Sequence, residues 1–448
     1  MSATTLFCTA VLHGLTERPG GDGKPVNAFA LLIDLPTVHI DLRQDCELTI
    51  ALYDAIDNQF ISENYTLYWL HENRVLKGRQ WRALFIDLGP KTPPHKVYLA
   101  IRVVRLGPME SASTLKKAPV AQETSSSQNC RQPYAYALCD VSDAFQPATL
   151  ASATEEKQHC ALLNRIVDDN FEVTLSKAVS GRLNTAKQAD GVGEGGAAFA
   201  KDQLLLTTQV LLGSVEQIKK AQPHVFALHP PTLVRPMGFP DVIATDDVRN
   251  DLYVTLCHAD LGHVTKSSDK NIEARLSLVD NNGKLVDDSI VIVGADGVTN
   301  MATYSSMVFY HDDKPKWFET VKICIPEDTS KDVHIRIAFR HRRSGDKNKA
   351  EKGPFAVAFL KLLEGTKLLE DGQHELLVYK IEANKFDEKD ISYTYLPSSK
   401  GDLKQSQTLS KPQTSGFIYS DKSSFTVKTL TCSTSLTHNG QCSFFIYI

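Results

Sequence analysis

The segment His334-Ile-Arg-Ile-Ala-Phe339 alternates apolar and polar residues, which is the pattern of a half-buried β-strand. A second strand-like run follows from Phe355 to Leu362. The loop between them, Arg340 to Lys352, carries six Lys or Arg residues against two acidic residues. Because the loop is held by a strand at each end, we expect it to form a cationic surface that suits phosphate groups.

Composition limits the classes of protein to which such a loop can belong. The chain has 448 residues with 42% hydrophobic content, enough for about two or three ordinary cores. A net charge of -4 argues against a general nucleic-acid binder, which usually has a broadly basic face. The nine cysteines are scattered without a CxxC pair, and the sequence shows neither a signal peptide nor a long apolar run. We therefore predict a cytoplasmic protein.

Residues 27–222 are predicted to form a first β-sandwich, preceded by an N-terminal extension at residues 1–26. Short apolar runs separated by polar turns are typical of antiparallel sheets packed face to face. Polar and small-residue compositions predict flexible insertions near residues 107–131 and 187–198. The strand-like runs are Phe29 to Leu35, Cys46 to Tyr53, Tyr65 to Leu70, Ala83 to Leu88, Lys96 to Leu106 and Gln203 to Leu212.

Two segments of this first block favour helix instead. Thr154 to Val179 is its best helical candidate. Ser214-Val-Glu-Gln217 has the spacing of a capping box, in which the Ser and Gln side chains satisfy backbone N–H groups at a helix start. We therefore predict a short helical insertion between the two sandwiches, running from Ser214 to about Gln222.

Four prolines between residues 230 and 240 separate this block from a second one and predict a linker at residues 223–239. Strand-like runs then resume, and Asn282-Gly283 predicts a hairpin turn. We predict a second sandwich at residues 240–430 and a divergent tail at residues 431–448. The fold class is therefore all-β, with two antiparallel C2-like sandwiches. The runs of the second block are Leu252 to Leu256, Ala274 to Leu278, Leu285 to Val293, Ser306 to Tyr310, Val321 to Ile325, His334 to Phe339, Phe355 to Leu362 and Glu375 to Glu382.

A second cationic connection, Leu261 to Lys270, precedes the run at Ala274 and contains Lys266 and Lys270. In a C2-type sandwich the first and third long loops meet at one end, so we expect both cationic connections to form one pocket. Each Lys or Arg near an anionic leaflet contributes about 1 kcal/mol. We call Arg340 to Lys352 the main loop; its excess of positive over negative side chains then contributes about 4 kcal/mol, which corresponds to roughly millimolar binding. Useful affinity would need stereospecific phosphate contacts or a second attachment point.

Other interpretations of these loops remain open. A charge run on a connection is often only a solvated face, and the basic loops could instead bind an acidic protein partner. A calcium-dependent lipid binder of the C2 type would need carboxylates on these loops, where only Asp269, Asp346 and Glu351 occur. The sequence shows no catalytic or cofactor motif and no paired Cys/His set, so we predict a protein that is not an enzyme and has no cofactor.

Beyond these patterns, a long colinear series of motifs resembles the dedicator-of-cytokinesis family from Asn27 to Ser435. In the second block the likeness to that family's first DOCK-homology region is carried by Gly238-Phe-Pro-Asp241, Tyr304-Ser-Ser306, Lys316-Trp-Phe-Glu-Thr-Val-Lys322, Phe339-Arg-His-Arg342, Leu369-Glu-Asp-Gly-Gln373 and Tyr395-Leu-Pro-Ser-Ser-Lys400. In the first block it is carried by Phe60-Ile-Ser-Glu-Asn64, Phe85-Ile-Asp-Leu-Gly89 and Ile101-Arg-Val-Val-Arg-Leu-Gly107.

This resemblance implies a function. Family members are guanine-nucleotide exchange factors for Rac-type small GTPases, and their first homology region is a C2-like domain that binds phosphatidylinositol trisphosphate through basic loops. It implies recruitment of a cytoplasmic protein to the plasma membrane. The residues that would inherit the lipid role are Lys266, Lys270, Arg342, Arg343, Lys347, Lys349 and Lys352.

Departures from the family pattern qualify this implication. The chain has His263 where relatives carry an early lysine in the first loop, which bears on head-group selectivity. By the resemblance, exchange activity belongs to a second homology region and contact with an Elmo-type adaptor to an N-terminal Src-homology 3 domain. Neither is expected in this chain, which leads us to expect a truncated isoform or an incomplete gene model.

Overall fold

The computed structural model describes residues 28–78, 81–89, 95–109, 130–146, 155–166, 175, 179, 202–238, 249–265, 270–325, 333–342, 353–364, 367–382, 387–405, 413–414 and 416–434. Strands dominate these residues, and the helices among them are short. None of those helices is long and apolar enough to span a bilayer. The predicted all-β fold class is therefore confirmed.

The first part of the chain forms strands up to residue 234, followed by a second series from residue 250. The first series is β1 (Phe29–His39), β2 (Asp45–Asp54), β3 (Gln59–Phe60), β4 (Tyr65–Leu70), β5 (Val75–Leu76), β6 (Arg82–Leu88), β7 (Val97–Gly107), β8 (Cys130–Asp140), β9 (Lys157–Leu162), β10 (Asn164–Arg165), β11 (Gln203–Leu212) and β12 (Thr232–Val234), with helices α1 (Val215–Ala221) and α2 (His224–Ala227).

The second series is β13 (Asn250–Asp260), β14 (Ile272–Val279), β15 (Ile290–Gly294), β16 (Gly297–Met301), β17 (Thr303–Ser305), β18 (Lys316–Cys324), β19 (His334–His341), β20 (Ala356–Lys361), β21 (Leu363–Glu364), β22 (Lys367–Leu368), β23 (Gly372–Leu376), β24 (Tyr379–Ile381), β25 (Gln413–Thr414), β26 (Phe417–Tyr419) and β27 (Ser424–Ser433), with helix α3 (Lys400–Gln405).

Two sandwiches result from the packing of three large sheets. In the first sandwich, the five-stranded sheet β12-β6-β1-β11-β9 packs on β2, β4, β7 and β8, and buried Ile33, Leu48 and Phe85 lie between the layers. In the second, the seven-stranded sheet β17-β14-β19-β20-β24-β26-β25 packs on β13, β18 and β27, with Leu276 and Trp317 in the core. Alternating apolar residues supply both cores because successive strand residues face opposite sides of a sheet.

A single thirteen-stranded sheet runs through both sandwiches. It is continuous because β4 of the first sandwich pairs in parallel with β15 of the second, Tyr65 opposite Val293 and Thr66 opposite Gly294. Strand β12 also pairs in parallel with β6. Residues 232–234, predicted to be linker, therefore belong to a sheet of the first sandwich, and backbone hydrogen bonds join the two units.

Buried charges reinforce this junction. The Arg131 guanidinium lies 2.6 Å from Glu47 of its own sandwich and 2.8 Å from Glu319 of the other. Burial alone would lower the pKa of Arg131, but Glu319 and Glu47 raise it well above its ordinary value, so the group stays charged. A second cluster is centred on Glu63. Its carboxylate lies 2.8 Å from the Lys322 ammonium group and accepts a hydrogen bond from the Tyr253 hydroxyl at 2.6 Å.

Several local predictions are confirmed. Strand β11 has the predicted bounds, and the predicted capping box is present: Ser214 N donates to Gln217 Oε1 at 2.9 Å, and Gln217 N donates to Ser214 Oγ at 3.4 Å. The predicted turn at Asn282-Gly283 also forms, since Gly283 N donates to Asp280 O at 3.1 Å and Val279 bridges Leu285 across it. These features are local, so the sequence around them is enough to specify them. The run Leu285 to Val293 does not pair along β14, however, because its strand β15 lies in the other sheet.

Three other local predictions were wrong in whole or in part. The helix predicted from Thr154 to Val179 is wrong in its first part, which forms strands β9 and β10, because pairing of β9 with β11 outweighs a weak local helix preference. Leu175 and Val179, further along the same run, are helical as predicted. The run Ser306 to Tyr310 is not a strand, and Tyr310 lies in a turn. The run Glu375 to Glu382 is divided between β23 and β24, which belong to different sheets. The predicted insertion at 187–198 lies outside the described residues, as does most of the insertion at 107–131.

The turn before β15 provides a test of the fold. Gly283 has a φ of 75°, and a Cβ added there would lie 2.2 Å from the backbone oxygen of Lys389. We expect Gly283→Ala to lower the free energy of unfolding by about 3 kcal/mol, because it adds a backbone clash to the cost of a left-handed conformation. Urea denaturation measures this loss.

Gly297 is the matched control, since it has a φ of 95° but a Cβ there would meet no atom within 4 Å. Gly297→Ala should cost only about 1 kcal/mol, the conformational part alone. Equal losses in the two variants would show that the clash with Lys389 is absent.

Candidate functional site

The two cationic connections begin and end at neighbouring strand ends. Strand β14 starts at Ile272, just after the connection Leu261 to Lys270, and β19 ends at His341, just before residues 343–352. The two strands are antiparallel, and Ile272 pairs with His341. Because the start of β14 thus lies beside the end of β19, both connections emerge at one end of the second sandwich. We call this end the basic rim and define it by the described residues 261–265, 270–272 and 340–342.

Hydrogen bonds lock the bases of the two connections together. Thr265 Oγ1 lies 2.6 Å from His341 Nε2. Arg342 N donates to Asn271 O at 2.8 Å, and Asn271 Nδ2 donates to Arg342 O at 3.1 Å. On the far side of the main loop, the Phe355 ring stacks on His341 with centroids 4.2 Å apart. The described bases of both loops are therefore held rigidly against each other.

The predicted lipid-binding residues differ in what the structure says about them. Lys266, Arg343, Lys347, Lys349 and Lys352 lie outside the described residues, so their role stays a prediction. Lys270 lies at the basic rim with 45% of its side chain exposed. Its ammonium group is 2.5 Å from Asp313 Oδ2, so part of its charge is already neutralised.

Arg342 has a different environment from the one predicted. Its side chain is only 7% exposed; its Nε lies 3.3 Å from Glu273 Oε2 and donates to Cys130 Sγ at 3.4 Å. Cys130 belongs to β8 of the first sandwich, so Arg342 connects the base of the main loop to both units. A guanidinium buried against a carboxylate is not available to a head group, and we correct its assignment to a structural one.

A third connection, residues 306–315, also reaches the basic rim, and sequence patterns missed it. His311 N donates to Asn271 Oδ1 at 2.9 Å, and Leu261 N donates to Asp313 O at 2.9 Å. It also brings Lys314, whose ammonium group lies 2.8 Å from Asp260. A lysine next to two aspartates does not stand out as cationic in the sequence, and only the folded chain places it at this end.

The charge balance at the basic rim follows from these pairs. Lys270 is paired with Asp313, and Lys314 with Asp260. Arg340 and Arg342 likewise lie beside Glu388 and Glu273. A positive excess at this end therefore stays a prediction that rests on Lys266 and the cations of residues 343–352, which lie outside the described residues. Among the described residues, no group of three or more His, Cys, Asp or Glu side chains has a geometry that could hold a metal ion.

A second concave site lies between the sandwiches and has a volume of about 280 Å³. Its walls include the charged groups Glu47, Glu63, Arg102, Arg131, Glu319 and Lys322. Arg131 pairs with Glu47 and Glu319, Lys322 pairs with Glu63, and Arg102 donates to Phe318 O at 2.8 Å. The three cations balance the three carboxylates, so the cleft has no net charge with which to attract an ionic ligand.

The environment of Arg342 generates a stability prediction. We expect Arg342→Ala to lower the free energy of unfolding by about 2–3 kcal/mol, because it leaves buried Glu273 with only Arg275 as a cation. Lys270→Ala is the control: it removes an exposed pair and should change stability by less than about 1 kcal/mol. Urea denaturation separates the two, and an Arg342→Ala variant as stable as Lys270→Ala would contradict the structural role.

Comparison with known proteins covers both sandwiches. The family described as "DOCK N-terminus" matches residues 12–240, and the family described as "C2 domain in Dock180 and Zizimin proteins" matches residues 245–441. The chain is 32% identical over 406 residues to human "Dedicator of cytokinesis protein 3" and 29% identical over 406 residues to human "Dedicator of cytokinesis protein 4". These alignments cover 89% of this chain but only 19% of each relative, so the chain spans about a fifth of their length.

Among solved structures, the first C2 domain of plant Extended Synaptotagmin 1 matches with a TM-score of 0.24 and 8% sequence identity, covering 42% of this chain and 97% of that chain. So low a score carries no argument.

Proposed function

Because this chain belongs to the dedicator-of-cytokinesis family, we propose that its second sandwich binds phosphoinositides and recruits the protein to membranes. The matched regions are the family's N-terminal and C2 regions. In this proposal, residues 12–441 therefore serve recruitment, whereas nucleotide exchange on a Rac-type GTPase belongs to the full-length architecture. Contact with an Elmo-type adaptor is likewise a proposal for the full-length protein.

One observation carries the proposal: the bases of the two cationic connections are hydrogen-bonded to each other. The pairing of Ile272 with His341 and the bonds between Asn271 and Arg342 bring both loops to one end of the sandwich. Two loops at opposite ends could not grip the same head group. Loops with a common base can offer phosphate contacts from two sides, which diffuse charge alone does not supply.

The proposed ligand is phosphatidylinositol trisphosphate, whose phosphates suit several lysines and arginines at once. We assign the direct contacts to Lys266, Arg343, Lys347, Lys349 and Lys352, with Lys270 at the edge of the site. Arg342 supports the loop from within instead. Recruitment from the cytoplasm to the plasma membrane follows as the proposed cellular behaviour.

Charge reversal at the centre of the main loop tests the proposal. We expect Lys347→Glu with Lys349→Glu to weaken binding to vesicles containing phosphatidylinositol trisphosphate at least about tenfold, since each cation near the surface contributes about 1 kcal/mol. Vesicle sedimentation with the full chain measures this. Arg342→Glu is unsuitable for this test, because it would place two carboxylates together in a buried site.

The matched control is Lys219→Glu with Lys220→Glu, an adjacent pair of exposed lysines on α1 of the first sandwich. It makes the same change in net charge away from the basic rim and should bind like the native chain. Equal loss in both double variants would indicate diffuse attraction only, and equal binding of native and Lys347/Lys349 variants would reject the site.

Two further measurements separate the other candidate functions. If the loops bind a head group, soluble inositol tetrakisphosphate should reduce the amount of protein that sediments with the vesicles. If the loops instead bind an acidic protein partner, the chain should not sediment with the vesicles at all. A chelator should leave binding unchanged, and loss of binding in chelator would indicate a calcium-dependent C2 domain instead.

A further inference from the structure

The basic rim carries an exposed aromatic group that the cationic loops do not explain. Tyr310 is 40% exposed, on the connection between β17 and β18. Its ring stacks on His311, with centroids 4.3 Å apart and an angle of 26° between the planes. Exposed tyrosines are common singly, so its meaning depends on how rigidly it is held and on what lies beside it.

Asn271 holds this aromatic pair in the same frame as the cationic loops. The side chain of Asn271 is fully buried; its Oδ1 accepts from His311 N at 2.9 Å, and its Nδ2 donates to Arg342 O at 3.1 Å. One buried amide therefore joins all three connections of the basic rim. His311 has a φ of 55°, a conformation that costs energy for a non-glycine residue and that this bond helps to hold.

Both flanks of the aromatic pair are anchored. Val308 and Phe309 are buried just before it, and Ala259 N donates to Pro315 O at 3.1 Å just after it. The exposed segment is therefore a short tip between two fixed points. A side chain on such a tip loses little conformational freedom on binding, which lowers the cost of a contact.

The charge of this tip differs from that of the neighbouring loops. Residues 306–315 contain two aspartates and one lysine, so the connection has a net charge of -1 with histidine neutral. Coulombic attraction to an anionic membrane therefore does not come from this connection. An amphipathic ring at the edge of a cationic surface suits the interface of a bilayer, where one end of a tyrosine is apolar and the other contacts water.

We propose that Tyr310, stacked on His311, is an interfacial anchor that enters the head-group region of the membrane while the cationic loops bind phosphate. This proposal rests on the proposed lipid-binding function and adds the second attachment point that diffuse charge requires. Because the anchor is uncharged, its contribution persists at high salt, whereas that of the loops is screened.

The test compares two exposed tyrosines at opposite ends of the second sandwich. Tyr395 is 85% exposed and follows Tyr393, whose hydroxyl lies 2.8 Å from His334 at the start of β19, whereas the basic rim is at the end of β19. Binding of the full chain is measured by sedimentation with phosphatidylcholine vesicles containing phosphatidylinositol trisphosphate. We expect Tyr310→Ala to weaken binding about fivefold at low and at high salt, and Tyr395→Ala to have no effect.

A second readout detects insertion directly. In Tyr310→Trp, brominated phosphatidylcholine should quench the added fluorescence when the vesicles contain the trisphosphate lipid, and in Tyr395→Trp it should not. The native chain supplies the background, since Trp69 and Trp317 are buried and Trp81 is partly buried.

The outcomes separate this inference from the proposed function. Native binding with an unaffected Tyr310→Ala and an unquenched Tyr310→Trp overturns the anchor but leaves phosphoinositide binding intact. Absence of native binding overturns both. A loss in Tyr310→Ala that disappears at high salt would show that the ring acts only through the charged loops, which also rejects the anchor.

Discussion

The parallel pairing of β4 with β15 is the interaction on which the rest of the architecture depends. It makes one thirteen-stranded sheet out of strands from both sandwiches, so the units cannot rotate against each other without breaking backbone hydrogen bonds. The ion pairs of Arg131 add to this constraint, because separating them would leave buried charges unpaired. The first sandwich therefore acts as a fixed support for the second.

That support extends to the basic rim. Val308 N donates to Arg131 O at 2.7 Å, and Arg342 donates to Cys130 Sγ at 3.4 Å, so the base of the main loop touches β8 of the first sandwich. Met109, Cys130 and Val308 pack together at the same place. A head-group site at this rim would thus be built partly on the first sandwich, which gives that unit a role that composition did not suggest.

The buried amide of Asn271 shows how the rim keeps its shape. A polar side chain with no exposure is costly unless its hydrogen bonds are made, and here both its oxygen and its nitrogen have backbone partners. These bonds join connections that are far apart in sequence. Long cationic loops alone would lose much conformational entropy on binding, and a common rigid base reduces that cost.

Much of the fold could be predicted because strand patterns are local. The runs at β1, β2, β11 and β19 are long and apolar enough to be identified as strands. Strand β19, which was predicted to be half buried, is buried on both faces from His334 to Phe339, because His334 and Arg336 are covered as well. The failures came where partners far along the chain decide the outcome. Strand β9 exists because β11 offers an edge, and the break between β23 and β24 depends on which of two sheets each half joins. Neither cause can be read from a window of neighbouring residues.

The sequence by itself determined the all-β class, the two sandwiches and the basic composition of two connections, since these follow from residue types and their spacing. Its motifs also carried the resemblance to the family, which comparison with known proteins then showed. Only the tertiary structure decided that the sandwiches share a sheet, that Arg342 faces Glu273 and not solvent, and that Tyr310 joins the rim. The physical reason is that burial and hydrogen-bond partners depend on contacts between residues far apart along the chain. Local sequence carries charge and hydrophobicity, but not which of those charges will meet.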